Sequence, residues 1–375
     1  MLNANEGQRA VAVEHRRRRQ RRGVLDRLAL RRSLHGLLAV MLVMLFTTGC
    51  WGGHSDEDGS DMATISGLTD PIGGVSTKEV KANVVQDKAV SHNGRTLTFG
   101  ILYPFAHMFY ETITEQAKAA AGPQQVSLLV QAPDEANAEQ QIRMMENMIN
   151  RHVDGIAVDP IDATAMQPVI DKAIAAGIPV ICFESDAPGS QRLSFIGADN
   201  RLAGQRMGGL LDGLLGGRGM ILVETGASHM DSLNKRLEGL RYYLETYTEI
   251  QILDVRYNEG SEATAQTDLE QMIDDHPHFD AFIALDPLSV SAAVLVWKAM
   301  GLNRHALTFG MMPEIEDAIR NGQLTATVSQ YEQEWGAQIV SRLIQAAGGH
   351  KLPAFSDTGM TDVTMETLSR AAAEK

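Results

Sequence analysis

The segment Ala173-Ile174-Ala175-Ala176-Gly177-Ile178-Pro179-Val180-Ile181-Cys182-Phe183 decides the fold. It leaves a helical stretch, 164–176, and enters a short apolar run, 179–183, with no polar residue. Such a run fits a strand covered on both faces. The same alternation repeats outward in both directions. Strands are predicted at 97–102, 126–130, 155–158, 179–183 and 195–196, and again at 220–223, 250–255, 281–285, 307–310 and 324–328. Helices are predicted between them at 108–121, 135–151, 164–176, 200–215, 232–246, 262–275, 288–300, 313–321 and 332–347. The 135–151 segment carries Ile142, Met145, Met148 and Ile149 on one face at the helical period. Alternation of this kind predicts parallel sheets with helices on both sides. Ten strands exceed one doubly wound domain of this size, so two α/β lobes are expected. Ligands bind beyond the carboxyl ends of strands in such sheets, and two facing lobes would make those ends line a cleft.

Composition narrows the function classes. The chain has 375 residues, 44% of them apolar and 21% charged, which excludes wholesale disorder. Two cysteines exclude a disulfide scaffold and a four-cysteine zinc ribbon. A net charge of −14 argues against general nucleic-acid binding. That charge is unevenly spread. Residues 1–49 hold ten arginines, no lysine and three acids, a net of +7, and the remainder carries −21. A basic head on an acidic body reads as a targeting segment on an exported domain.

The head has the parts of a signal peptide. Arg16–Arg19, Arg21–Arg22 and Arg31–Arg32 precede an apolar run from Leu37 to Phe46. Ten helical residues span about 15 Å, half a bilayer core, which suits an h-region better than a permanent anchor. Thr47-Thr48-Gly49-Cys50 follows and resembles a bacterial lipobox, whose cysteine is lipidated after cleavage. Residues 1–49 are therefore expected to be removed and Cys50 to carry lipid. Residues 50–95, rich in Gly, Ser, Asp and Glu at their start, are expected to form a flexible tether.

Catalytic and cofactor signatures are missing. No strand leads into Gly-x-Gly-x-x-Gly, no phosphate loop ends in Gly-Lys-Ser/Thr, and no Gly-x-Ser-x-Gly elbow occurs. Gly216-Gly217 ends a predicted helix, where a C-cap accounts for it. His276-Pro277-His278 has no third ligand at a recognisable spacing and reads as a solvated turn. Cys182, inside an apolar strand, reads as a small buried hydrophobe. No cofactor and no metal are expected.

Four longer stretches carry a resemblance. Gly177-Ile178-Pro179-Val180-Ile181 leads to Phe183-Glu184-Ser185-Asp186-Ala187-Pro188, then Phe195-Ile196-Gly197-Ala198-Asp199-Asn200. Leu233-Asn234-Lys235-Arg236-Leu237-Glu238-Gly239 and Phe282-Ile283-Ala284-Leu285-Asp286-Pro287 follow. Gly322-Gln323-Leu324-Thr325-Ala326-Thr327-Val328-Ser329-Gln330 completes the series. In this order and spacing, from about 96 to 365, they resemble the sugar-binding group of type I periplasmic solute-binding proteins. The resemblance implies two doubly wound parallel-sheet lobes joined by a hinge, 96–198 plus 331–359 and 199–330 plus 360–375. It implies a monomeric, non-enzymatic protein that captures a sugar or polyol for an ABC transporter permease, held at a bacterial membrane surface by its lipid. A sensory protein presenting its closed form to a chemoreceptor or sensor kinase is the alternative.

The same resemblance implies the pocket. Phe109 and Tyr110 would form its stacking wall and His107 a hydrogen-bonding rim. Glu184, Arg236, Asp286 and Gln330 fall on polar positions of the relatives' pockets. Phe109 and Tyr110 also read as core residues of a helix, and Asp286 as a helix N-cap. Departures from the pattern are the longer Glu184, the ionisable His107, and Gly260 where an aromatic is expected. Met312 stands near a sugar-binding Asp of the relatives, in a shorter loop. Met312 has two readings: a soft apolar cleft surface favouring a deoxygenated ligand edge, or a core residue.

Overall fold

The computed structural model describes residues 96–373. The expectations for the signal segment, for Cys50 and for the tether lie outside the described residues.

Two six-stranded sheets organise the described residues. The first takes β1 (Leu97–Leu102), β2 (Val126–Gln131), β3 (Gly155–Val158), β4 (Val180–Phe183), β5 (Ser194–Gly197) and β11 (Phe355–Asp357). Their order is β11-β5-β4-β3-β1-β2, all parallel. The second takes β6 (Arg218–Thr225), β7 (Glu249–Tyr257), β8 (Ala281–Ala284), β9 (His305–Phe309), β10 (Ala326–Ser329) and β12 (Thr361–Thr364). Its order is β12-β10-β9-β8-β6-β7, with β12 alone antiparallel. The central strands β3, β4 and β8 are buried at every position, as their unbroken apolar sequences require.

Ten helices join and cover these strands. They are α1 (Met108–Ala121), α2 (Ala138–Asn150), α3 (Ala163–Ala175), α4 (Asn200–Leu215), α5 (Asp231–Tyr247), α6 (Glu262–Asp275), α7 (Pro287–Met300), α8 (Pro313–Arg320), α9 (Trp335–Ala347) and α10 (Met365–Ala373). Polar caps fix many of the starts: Asn137, Asp162, Asp199, Ser261 and Asp286 each accept a backbone N–H with the side chain. Gly216 ends α4 in the left-handed conformation, φ 63°. The elements follow the expected alternation, with three additions. β11, β12 and α10 are short and have no continuous apolar run. Tertiary contacts make them: the Phe355 ring stacks on Phe195 at 5.5 Å, and Arg206 of α4 pairs with Asp362 of β12.

The chain passes between the sheets three times, after β5, after β10 and between β11 and β12. Helix α9 crosses back and packs on α1 of the first lobe. In the second lobe α4 and α5 cross at backbone contact. A Cβ on Gly204 would lie 1.9 Å from the carbonyl oxygen of Arg236, and one on Gly239 would lie 1.9 Å from that of Arg201. Only glycine at both positions lets the two helices approach so closely.

One buried carboxyl sits in the second lobe's core. Glu224 lies near the end of β6, opposite Ala284 of β8, fully buried. Neither of its oxygens has a hydrogen-bond partner among the described residues. Burial first, then Asp286 and Asp268, push its carboxyl from 4.5 up to about 9, against the pull of Arg256. The folded state therefore keeps a proton there that the unfolded chain gives up above pH 4.5. Stability linked to this group is full below pH 4.5 and drains away as pH rises to about 9. Glu224→Gln should lack that slope. Urea midpoints of the variant and the native protein, compared from about pH 5 to about pH 8.5, should diverge in the variant's favour as pH rises. Parallel curves would mean that Glu224 does not hold a proton in the fold.

Candidate functional site

A cavity opens where the carboxyl ends of the two sheets face each other. Its polar lining is Tyr110, Glu184, Arg236, Asp286 and Gln330, and its aromatic lining is Phe105, Phe109 and Phe309. Ala227, Met230, Leu233, Leu285, Pro287 and three glycines complete it. Seven of these sixteen residues follow directly on a strand end: Glu184 after β4, Gly226 and Ala227 after β6, Leu285 and Asp286 after β8, Gly310 after β9, Gln330 after β10. Backbone N–H groups and helix N-termini gather there, which is why parallel sheets place ligands at that edge.

The centre of the site is an ion pair between the lobes. Arg236, 3% exposed on α5, donates from Nη2 to Oε1 of Glu184, 5% exposed, at 2.5 Å. The other guanidinium nitrogens are also engaged. Nε donates to Asn200 Oδ1 at 2.8 Å and Nη1 to the Leu285 carbonyl at 3.0 Å. The Phe309 ring lies beneath the guanidinium, 5.0 Å from its carbon. Ser232 Oγ donates to the second oxygen of Glu184 at 2.9 Å, and the Ser232 N–H reaches Ser185 Oγ at 3.1 Å. Glu184 holds φ 58°, a left-handed conformation that costs a non-glycine residue about 1–3 kcal/mol. Its own N–H bonds Ile196 and its carbonyl accepts from Asn200 Nδ2, so both flanking peptides are tied.

Two further carboxyls lie close behind this pair. Asp159, at the end of β3, is fully buried and accepts from the Tyr110 hydroxyl at 3.2 Å. Its other oxygen has no hydrogen-bond partner among the described residues. Burial, then Glu184, hold its carboxyl well above the usual carboxylate range. Glu332, behind Gln330, is also raised by burial, with hydrogen bonds from the Gln330 N–H and Ser329 Oγ and the nearby Arg236 opposing that shift.

The expected site residues divide as follows. Phe109, Tyr110, Glu184, Arg236, Asp286 and Gln330 all line the cavity. Phe109 and Tyr110 are also part of the first lobe's aromatic cluster: Tyr110 stacks on Tyr103 at 4.6 Å and Phe109 meets Trp335 edge-on at 6.3 Å. Asp286 caps α7. Its oxygens accept from the Leu288 N–H, from Asn258 Nδ2 and from Ser289 Oγ. Gln330 keeps a buried side-chain oxygen with no hydrogen-bond partner among the described residues.

Two expectations need correction. His107 does not line the cavity. It caps α1, its Nδ1 accepting from the Phe109 N–H at 3.2 Å, and its Nε2 lies 3.5 Å from Ser291 Oγ of α7 across the cleft. Met312 does not line it either. Pro313 starts α8 directly after Met312, which turns the thioether inward, 4% exposed, into the apolar core with Ile315. Phe309 and Gly310 occupy the cavity edge instead. The missing aromatic also has a reason: a Cβ on Gly260 would lie 2.0 Å from that of Ala136 in the facing lobe.

Phe105, Met230, Leu233 and Phe309 are lining residues that motif matching passed over. Their signal is position, at or just beyond strand ends and on the first turn of α5, not residue type.

The Arg236–Glu184 pair makes a prediction about stability. Arg236→Ala leaves a buried carboxylate without its counter-charge and strips donors from Asn200 and Leu285. Breaking a buried pair from one side costs about 3–5 kcal/mol. Urea unfolding should show that loss, and Arg236→Lys should recover little, since an ammonium cannot reach three acceptors in a plane. An unchanged midpoint for Arg236→Ala would remove the pair from any structural role.

Comparison with known proteins agrees with this geometry. Residues 99–351, more than half of the chain, match the family described as periplasmic binding protein domain. The chain is 22% identical over 244 residues to the D-ribose/D-allose-binding protein of Pseudomonas aeruginosa, covering 63% of this chain and 76% of that protein. It is 21% identical over 247 residues to the ribose import binding protein RbsB of Escherichia coli K12, covering 66% and 83%. An ABC transporter solute binding protein from Burkholderia graminis, solved in complex with D-arabinose, superposes with a TM-score of 0.69 at 25% identity, over 73% of this chain and 96% of that one. With two facing lobes of parallel strands, three crossings between them and a cavity at the carboxyl edges, the chain belongs to the periplasmic binding protein domain family and has its type I fold.

Proposed function

We propose that this protein captures a sugar or related small polar ligand between its lobes and presents it to an ABC importer. The observation that carries the proposal is the cavity itself, with an aromatic wall from Phe105, Phe109 and Tyr110 on one side and Arg236, Glu184 and Gln330 beside it. A sugar offers C–H faces to rings and hydroxyls to a guanidinium and an amide. The relatives named above, which bind ribose, allose or arabinose, support the same reading. We read this protein as a binding protein and not an enzyme, a reading supported by its relatives, which are sugar-binding proteins.

A thermal-shift screen across pentoses, hexoses and polyols tests this. A ligand bound only by the folded state, at a hundredfold excess over its Kd, adds about 2.7 kcal/mol. For lobes of this size that raises Tm by several degrees. A flat response to every sugar and polyol would defeat the proposal.

The protein works outside the cytoplasm, in the periplasm or at the cell surface, tethered by lipid on Cys50. The arginine-rich head, the apolar run 37–46 and Thr47-Thr48-Gly49-Cys50 support this. Mass spectrometry of the membrane fraction should find a chain beginning at a diacylated Cys50, and Cys50→Ser should move the protein to the soluble fraction, because two acyl chains hold stably where one does not. A chain still beginning at Met1 would overturn the anchor and leave sugar binding untouched.

A further inference from the structure

The cavity's side-chain hydrogen-bonding capacity is concentrated at one end. On α5 and its cap, Met230, Leu233 and Arg236 follow one another at three-residue steps, so they share a helix face. All three line the cavity. Along that face the wall changes from thioether to isobutyl to guanidinium. Beside Leu233 lies Asp286: a Cβ on Gly226 would touch Leu233 at 2.9 Å and Asp286 at 3.2 Å. The Asp286 carboxylate offers a ligand little, since each of its oxygens already takes two donors within the lobe. What remains open is at the Arg236 end: two unused guanidinium N–H groups, the second lone pairs of Glu184 and the unpartnered Gln330 oxygen.

We infer that the ligand is a deoxy or C-methyl sugar, its hydroxylated edge toward Arg236, Glu184 and Gln330 and its oxygen-free edge against Met230 and Leu233. This rests on the sugar reading above. A hydroxyl turned toward the thioether and the isobutyl group would leave water and find no strong donor or acceptor on either side chain. A methyl or methylene there would bury apolar surface instead. The penalty for an unpaired buried hydroxyl corresponds to about tenfold or more in affinity. The aromatic rings of the facing lobe accept either sugar, so the discrimination comes from the α5 wall.

Calorimetric titration of matched pairs tests it: D-galactose with D-fucose, its 6-deoxy form; L-mannose with L-rhamnose, its 6-deoxy form; and D-ribose with 2-deoxy-D-ribose. In the native protein a deoxy member should bind about tenfold or more tightly than its parent. Met230→Gln, which offers an amide along the same wall, should narrow or reverse that preference. If this variant does not fold, Leu233→Asn and the native ranking carry the test. Parents binding as well as or better than their deoxy partners, or parents alone binding, would overturn the inference and leave sugar binding intact. Silence from all six sugars overturns the inference. If the thermal screen is flat as well, the sugar reading falls with it.

Discussion

A charge buried between two lobes must find its opposite there, and the Arg236–Glu184 pair meets that requirement. Water cannot share the load, because both side chains are almost wholly enclosed. The surroundings are arranged to keep the guanidinium in place. Asn200 and the Leu285 carbonyl hold two nitrogens, Phe309 supports the plane, and the Gly204–Gly239 crossing lets α4 bring Asn200 to Arg236. The other partner bears a local cost. Glu184 adopts a backbone conformation that suits glycine, held by hydrogen bonds on both sides of its peptide.

That pair also gives the cavity its polarity. Arg236 is the cationic group of the lining, and Glu184, Asp159 and Glu332 surround it. Burial raises Asp159 and Glu332, so the cluster avoids accumulating several bare carboxylates around one guanidinium. Away from this end the wall is aliphatic and aromatic. The division follows from the chain's course: Glu184 and Gln330 come from strand ends, whereas α5 starts with Met230 and Leu233 and brings Arg236 to the pair one turn later.

The lobes meet where side chains are small. Gly260 lies against Ala136, and a Cβ on Gly310 would lie 3.1 Å from the Phe109 ring. These glycines bring the backbone of the second lobe to the aromatic wall of the first. His107 bridges the same gap toward Ser291 while it caps α1, so a residue expected at the pocket rim instead joins helix to facing lobe.

The sequence by itself determined the alternation of strands and helices, because unbroken apolar runs such as Val180–Phe183 and capped helices such as Asn200–Leu215 are local patterns. Arg236, Glu184 and Gln330 were reached through the resemblance of their motifs to the sugar-binding solute-binding proteins, not through local pattern. The sequence left β11, β12 and α10 unread, since three- and four-residue edge strands owe their pairing to neighbours distant in the chain. Met312 marks the same limit. A methionine after a strand suits a cleft or a core equally in local terms, and only the packing of α8 on the second lobe turned it inward. Which acceptors of the cavity are already filled, as at Asp286, and which wall is apolar are likewise decided by residues that meet only when the two sheets face each other. Hydrogen-bond saturation and burial are properties of the assembled neighbourhood, and no single segment carries them.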